Sequence, residues 1–199
     1  MAIWRKAPDP AVAARIPPGQ VLTEKFPVLH FGRTPEYPDL SRWDLRVFGE
    51  VETPFTLRWA ELLALPSVEV TLDVHCVTRW SKLDTTWGGV SLSHLAEVAQ
   101  LKPAARFVVF HSEYGFTSNV PLEVALDPQA MVAWNYDGKP LEPDHGYPLR
   151  AIVPGRYFWK SAKWLRGVEF SAEDRPGFWE RNGYSNSADP WREERYADG

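Results

Sequence analysis

One thiol, five imidazoles and a block of cations are the groups in this 199-residue chain most able to do chemistry. Cys76, the single cysteine, lies in the run "LDVHCVTRWS". It can form no intrachain disulfide and has no resolving thiol for a redox cycle. A free cysteine is most often a buried small hydrophobe. As a working group it serves either as a nucleophile with a histidine base or as a soft metal ligand. His75 is adjacent, but neighbours on a strand face opposite ways, which leaves His94, His111 and His145 as bases for a Cys/His thiol hydrolase. For a metal, one thiolate cannot make a zinc site, and no C-x-x-C or H-x-x-x-H spacing accompanies it. A metal held by one protein bond must bring its other ligands with it, as part of a prosthetic group.

A phosphate-bearing group of that kind needs cations. From Arg150 to Val168 the chain reads "RAIVPGRYFWKSAKWLRGV", with Arg150, Arg156, Lys160, Lys163 and Arg166 and no carboxylate, in a protein whose net charge is −4. Tyr157, Phe158, Trp159 and Trp164 interleave with these cations. The pattern fits an anion held against aromatic walls, and equally a basic strand and turn on the surface.

The elements that must position these groups are short. Pro 18 and Gly 13 favour turns. The start, residues 1–20, reads as an extended Pro-rich arm, and residues 21–199 as one domain. "WDLRVFGEV" alternates as a strand, "TLRWAELLAL" reads as a helix capped by Thr56, and "VEVTLDVHC" places Val68, Val70, Leu72, Val74 and Cys76 on one face. Ser91 caps a second helix that turns Leu92, Leu95, Ala96 and Ala99 inward. "ARFVVFHS", "GFTSNVP", "MVAWNY", "LRAIVP" and "WLRGVEF" are further strands; a short helix begins near Pro121, and Asp137-Gly138 marks a turn. Strands outnumber helices without βαβ alternation, so the expected class is α+β, mixed and β-rich.

The stretch "DGKPLEPDHGYPLRAIVPGRYFWKSAKWL" resembles the signature of the sulfite oxidase-type molybdenum-molybdopterin oxidoreductases, and a weaker likeness extends from Phe26 to Tyr196. "CVTRW" is similar also to the bacterial protein-methionine-sulfoxide reductase catalytic subunit. The resemblance implies a sulfite oxidase-type molybdopterin-binding fold and molybdenum-molybdopterin as cofactor, with Cys76 as the protein ligand to the metal. It implies cofactor-binding roles for His30, Ser112, His145, Arg150, Ser161, Ala162 and Lys163. Arg79 and Tyr184 are the further catalytic candidates, Arg79 facing an anionic substrate and Tyr184 beside the metal. The implied activity is two-electron oxygen-atom transfer on a small S-oxide, N-oxide or oxyanion. The alternatives are a molybdopterin-binding module without turnover and the thiol hydrolase.

With no haem-binding or iron–sulfur cysteine pattern, a separate electron-transfer protein is expected as partner. The negative net charge argues against nucleic acid, and no apolar run approaches the ~18 residues of a membrane span. A lone cysteine and a start without a signal-type apolar core lead to the expectation of a cytoplasmic protein.

Overall fold

A computed structural model describes residues 9–198. In chain order the elements are α1 (Pro10–Ala13), β1 (Val21–Leu22), β2 (Asp44–Gly49), β3 (Phe55–Arg58), α2 (Trp59–Leu63), β4 (Val68–His75), β5 (Trp80–Ser91) and α3 (Leu92–Ala99). They continue as β6 (Phe107–Ser112), β7 (Thr117–Pro121), α4 (Leu122–Ala125), β8 (Met131–Tyr136), β9 (Lys139–Pro140), β10 (Arg150–Ile152) and β11 (Leu165–Ser171). Single 3₁₀ turns at 113–115, 143–145, 158–160 and 180–182 punctuate the loops. The class is the expected β-rich α+β.

Two sheets make the body. In the first, β5 pairs antiparallel with β4 and β8 and parallel with β1, while β8 carries β9 and β10. The second has the order β3-β2-β11-β6-β7, parallel only between β2 and β11. Leu45, Val47, Phe110 and Val168 of the second sheet share one buried cluster with Val90, Val132 and Ala151 of the first. Helix α3, capped through the Ser91 hydroxyl, adds Leu92, Leu95, Ala96 and Ala99 to that cluster, as its 3.6-residue period requires.

Several local readings change. Thr56 is not a helix cap: it lies in β3 opposite Arg46, and α2 starts three residues later, where the Glu61 carboxylate accepts from the Arg58 amide at 2.7 Å. Strand β5, the centre of the first sheet, is absent from the sequence-level inventory. Its buried positions mix Ser81, Thr85 and Gly89 with Trp87 and Val90 rather than forming an apolar row, and its register with β4 shifts where β5 fits one extra residue between Lys82 and Thr85 opposite Leu72–Val74. The Thr85 hydroxyl donates to Leu72 O at 2.6 Å and accepts from the Trp87 indole at 2.9 Å, so the polar interior is satisfied. Within the expected arm, residues 1–8 lie outside the described ones. Residues 9–20 are anchored rather than free: Asp9 caps one helical turn, and Arg15 bridges Asp73 (2.6 Å) and Asp84 (2.5 Å). Among the described residues no helix is long and apolar enough to cross a membrane.

Candidate active site

Strand β4 ends at His75, and the chain reverses through Cys76–Arg79 into β5. The Arg79 amide donates to Cys76 O (3.0 Å) and the Cys76 amide to Trp80 O (2.8 Å). This turn aims donors at the sulfur: the Thr78 hydroxyl donates to Sγ at 3.2 Å, and the Val77 and Thr78 amides reach it too. Burial pushes the Cys76 thiol up, and those donors pull the other way. His75 faces elsewhere. Its Nδ1 lies 2.8 Å from Ser81 Oγ, and its ring lines a separate polar cavity with Asp73 and Asp84. Period two on β4 thus separates the thiol from the neighbouring imidazole.

Cys76 opens into a cavity of about 480 Å³. Into it β10 and the loops around it bring three basic groups. Arg150 is fully buried, donates to His145 O (2.8 Å) and Ser161 O (2.9 Å), and lies over the Phe158 ring at 4.2 Å. No carboxylate pairs with it among the described residues, and burial pulls its guanidinium down to about 9. Burial first, then Arg150, brings Lys163 down to about 7; its ammonium donates to Asp144 O at 2.5 Å. His145, stacked on Phe26 with ring centroids 4.0 Å apart, is lowered to about 4 by burial, then by Arg150 and Lys163. Three basic groups whose charge burial suppresses, with Arg150 adding to the suppression of Lys163 and His145, make a wall suited to an anion.

Two of the other cations of the basic segment do different work. Lys160 is buried against Glu180 at 2.6 Å, and Arg166 bridges Asp44 (2.5 Å) and Glu113 (2.8 Å). They clamp loops, whereas Arg150 and Lys163 face the cavity.

The cavity collects Cys76, His30, His145, Arg150, Ser161, Ala162, Lys163 and Tyr184. Ser161 also fixes its own loop, since its hydroxyl accepts from the Val153 amide at 2.9 Å. Tyr184 packs edge-on against Trp159 at 5.1 Å, and burial raises its phenol, which stays protonated at neutral pH. His30 stands edge-on to Trp164 at 5.1 Å. Two candidates are not brought in. Ser112, at the end of β6, is buried with no partner for its hydroxyl among the described residues, and only its successors Glu113 and Tyr114 reach the wall. Arg79 takes a positive φ of 74° and is exposed, with its guanidinium toward Gly19 O at 3.5 Å, outside the cavity. Sequence reasoning missed Thr78 and Trp80. The C-V-T spacing holds the signal for Thr78, since the third residue of a tight turn can reach back to the first. The Trp80 indole N–H is buried on the cavity wall with no acceptor among the described residues, which leaves it to donate to a bound group. A thiol surrounded by donors, an unpaired cationic wall and an orphaned indole donor together fit a metal group that carries an anionic arm.

Residues 31–179 match the family model described as the oxidoreductase molybdopterin binding domain. The chain belongs to that family. An uncharacterized oxidoreductase of Bacillus subtilis (strain 168), YuiH, is 47% identical over 184 residues, covering 92% of this chain and 93% of that protein. The protein-methionine-sulfoxide reductase catalytic subunit MsrP of Campylobacter jejuni is 29% identical over 157 residues, 70% of this chain and 52% of that one. The sulfane dehydrogenase SoxCD of Paracoccus pantotrophus shares the fold, with a TM-score of 0.65 at 22% identity over 75% of this chain and 42% of its own. This molybdopterin-binding oxidoreductase thus has the sulfite oxidase-type fold, and its cofactor is molybdenum-molybdopterin. The matched stretch includes Cys76, His145, Arg150 and Ser161–Lys163; His30 and Tyr184 fall just outside it.

Proposed function

We propose that the protein catalyses two-electron oxygen-atom transfer on a small S-oxide, N-oxide or oxyanion, with the Cys76 thiolate as the one protein ligand to molybdenum. The observation that carries this reading is the only thiol of the chain, held by three donors in the same cavity as the unpaired Arg150 and Lys163.

When bound, the molybdenum centre supplies the two-electron couple and the exchangeable oxygen position. The chain supplies the rest. Arg150 and Lys163 hold the cofactor's phosphate, the guanidinium as a fork and the ammonium as a point charge. His145 stays neutral and offers a hydrogen bond rather than a charge, and the Ser161–Ala162 backbone lines the same wall. Thr78 and the turn amides fix the thiolate. Tyr184, protonated at neutral pH, donates a hydrogen bond to the substrate oxygen, and the surrounding indoles exclude water. Ser112 stays in the proposal only as support for the wall at Glu113, and Arg79 only as an outer cation. No further cysteine exists to hold an iron–sulfur cluster, so the electrons come from or go to a separate protein. Residues 21–199 act as one cofactor-binding domain in this reading. A cytoplasmic setting accords with a thiolate kept reduced.

The test is metal and pterin analysis of protein made in a host that synthesises the cofactor. Stoichiometric molybdenum, lost in Cys76→Ala, is expected; absence from the parent protein sinks the reading. Reduction by dithionite followed by reoxidation with dimethyl sulfoxide separates an enzyme from a module without turnover. A thiol hydrolase would be alkylated at Cys76 by haloacetamides in the loaded protein, where a metal-bound sulfur resists.

A further inference from the structure

We propose that the substrate is a neutral organic oxide, an S–O or N–O group on an aromatic body, chosen over oxyanions by an aromatic wall anchored on Phe31 and Phe178. This rests on the oxygen-atom transfer proposed above and names its substrate class.

The rings form an unbroken series. Phe31 lies 4.5 Å from Phe178, Phe178 lies 5.1 Å from Trp179, Trp179 lies 5.0 Å from Tyr184, and Tyr184 lies 5.1 Å from Trp159. All five line the cavity that holds Cys76. The outer end of the series is open to solvent. Phe31 is 59% exposed, and Leu29 and Tyr114 on the same rim are 48% and 57% exposed. Large apolar side chains left uncovered together at a cavity mouth mark a ligand groove rather than ordinary surface.

The charges agree. Glu113, the one carboxylate on the wall among the described residues, is occupied by Arg166 at 2.8 Å and by the Tyr37 hydroxyl at 3.2 Å. Arg150, Lys163 and His145 belong to the cofactor's anionic arm. The remaining cation, Arg33, is exposed and lies over the Tyr114 ring at 5.2 Å. His30 has the Asp144 carboxylate 3.9 Å from its Nε2. The Trp159 indole already donates to Glu180 at 2.8 Å. A small oxyanion would meet rings where it needs several converging donors. A neutral oxide needs one donor at its oxygen, which Tyr184 supplies, and apolar contact along its body. In the reducing direction the sulfur–oxygen or nitrogen–oxygen bond breaks, two electrons arrive from a low-potential donor and two protons from solvent, and the oxygen leaves as water.

The experiment uses the molybdenum-loaded enzyme with reduced viologen. Methyl phenyl sulfoxide, dimethylaniline N-oxide, dimethyl sulfoxide, nitrate, chlorate and a methionine-sulfoxide peptide serve as oxidants, and sulfite with ferricyanide tests the reverse direction. The aryl oxides should show the highest kcat/KM. Phe31→Ala and Phe178→Leu should lower kcat/KM for the aryl oxides ~10-fold, the scale on which apolar pockets discriminate, with a smaller change for dimethyl sulfoxide. Their calorimetric affinity for methyl phenyl sulfide should fall in parallel. Arg33→Gln should leave the aryl oxides unchanged. Turnover led by an oxyanion or by the peptide, a loss of turnover in Arg33→Gln, or equal losses for aryl and dimethyl oxides would overturn the inference. Failure to turn over any oxidant or sulfite would instead overturn the reaction it rests on.

Discussion

Replacing Lys160 by Met should destabilise the protein more than the loss of any other cation of the basic segment. The Lys160 ammonium lies 2.6 Å from Glu180 Oε1, and the two side chains are only 1% and 2% exposed. The same ammonium donates to Asn119 O (2.9 Å) and Oδ1 (3.1 Å), which ties the 158–160 turn to β7. At 2.6 Å and an effective dielectric of 20, the attraction is ~6 kcal/mol. Most of that offsets the desolvation of two ions. Removing one partner leaves the other buried and alone, which costs ~3–5 kcal/mol. Glu180 keeps the Trp159 indole as a donor, so ~3 kcal/mol is the expected value for Lys160→Met. In a chain of this size each kcal/mol moves Tm by ~2–4 °C, giving a fall of ~6–12 °C.

Thermal melts followed by circular dichroism should show this deficit. Lys160→Met with Glu180→Leu should regain most of the loss, because an apolar pair of similar volume replaces a buried ion pair at little net cost. A Tm change under 2 °C would show that the pair is not the buried clamp its geometry describes.

Three further outcomes follow from the same structure. Gly89→Ala places a Cβ 2.0 Å from Val132 O, on backbone that cannot yield without breaking the β5–β8 ladder; urea denaturation should show a loss at or above the ~1–3 kcal/mol of overpacking. Thr78→Val removes the hydroxyl that donates to Cys76 Sγ. Iodoacetamide should then alkylate the metal-free protein more slowly at pH 8, with Ser restoring the rate. Lys163 has a folded-state pKa of about 7, below its unfolded value, because it is buried near Arg150. Its charge therefore opposes folding below pH 7, and that opposition fades as pH rises from 7 toward the unfolded value, so the urea midpoint of the metal-free protein should climb over this range and Lys163→Met should flatten the climb.

Where one face of an element is apolar and the other polar, its place could be read from the chain. Helix α3 buries the four residues its period assigns to the core, and β4 turns Leu72, Val74 and Cys76 one way while His75 turns the other. Strand β5 escaped because its interior is polar but satisfied, with Thr85 bonded to Leu72 and a close backbone approach at Gly89 where an apolar side chain would stand in an ordinary strand. Residues 24–36 gave no periodic signal for a related reason. Among the described residues they make no backbone–backbone hydrogen bond; the rings of Phe26, His30 and Phe31, the Thr34 hydroxyl on Asp144 and the Lys82 ammonium on Glu24 O hold them across the cavity.

The basic segment shows most clearly what composition leaves open. Five cations in nineteen residues predict an anion site, but each cation's use depends on a carboxylate elsewhere in the chain. Glu180, twenty residues on, takes Lys160, and Asp44, far upstream, takes Arg166. Arg150 and Lys163 meet no carboxylate side chain at hydrogen-bond distance among the described residues, only carbonyls and rings. Fixing a guanidinium among carbonyls holds its direction and leaves its charge uncompensated. That makes it a binding group rather than a clamp, so loading with the cofactor's phosphate should relieve a cost that Lys160, already paired, does not carry.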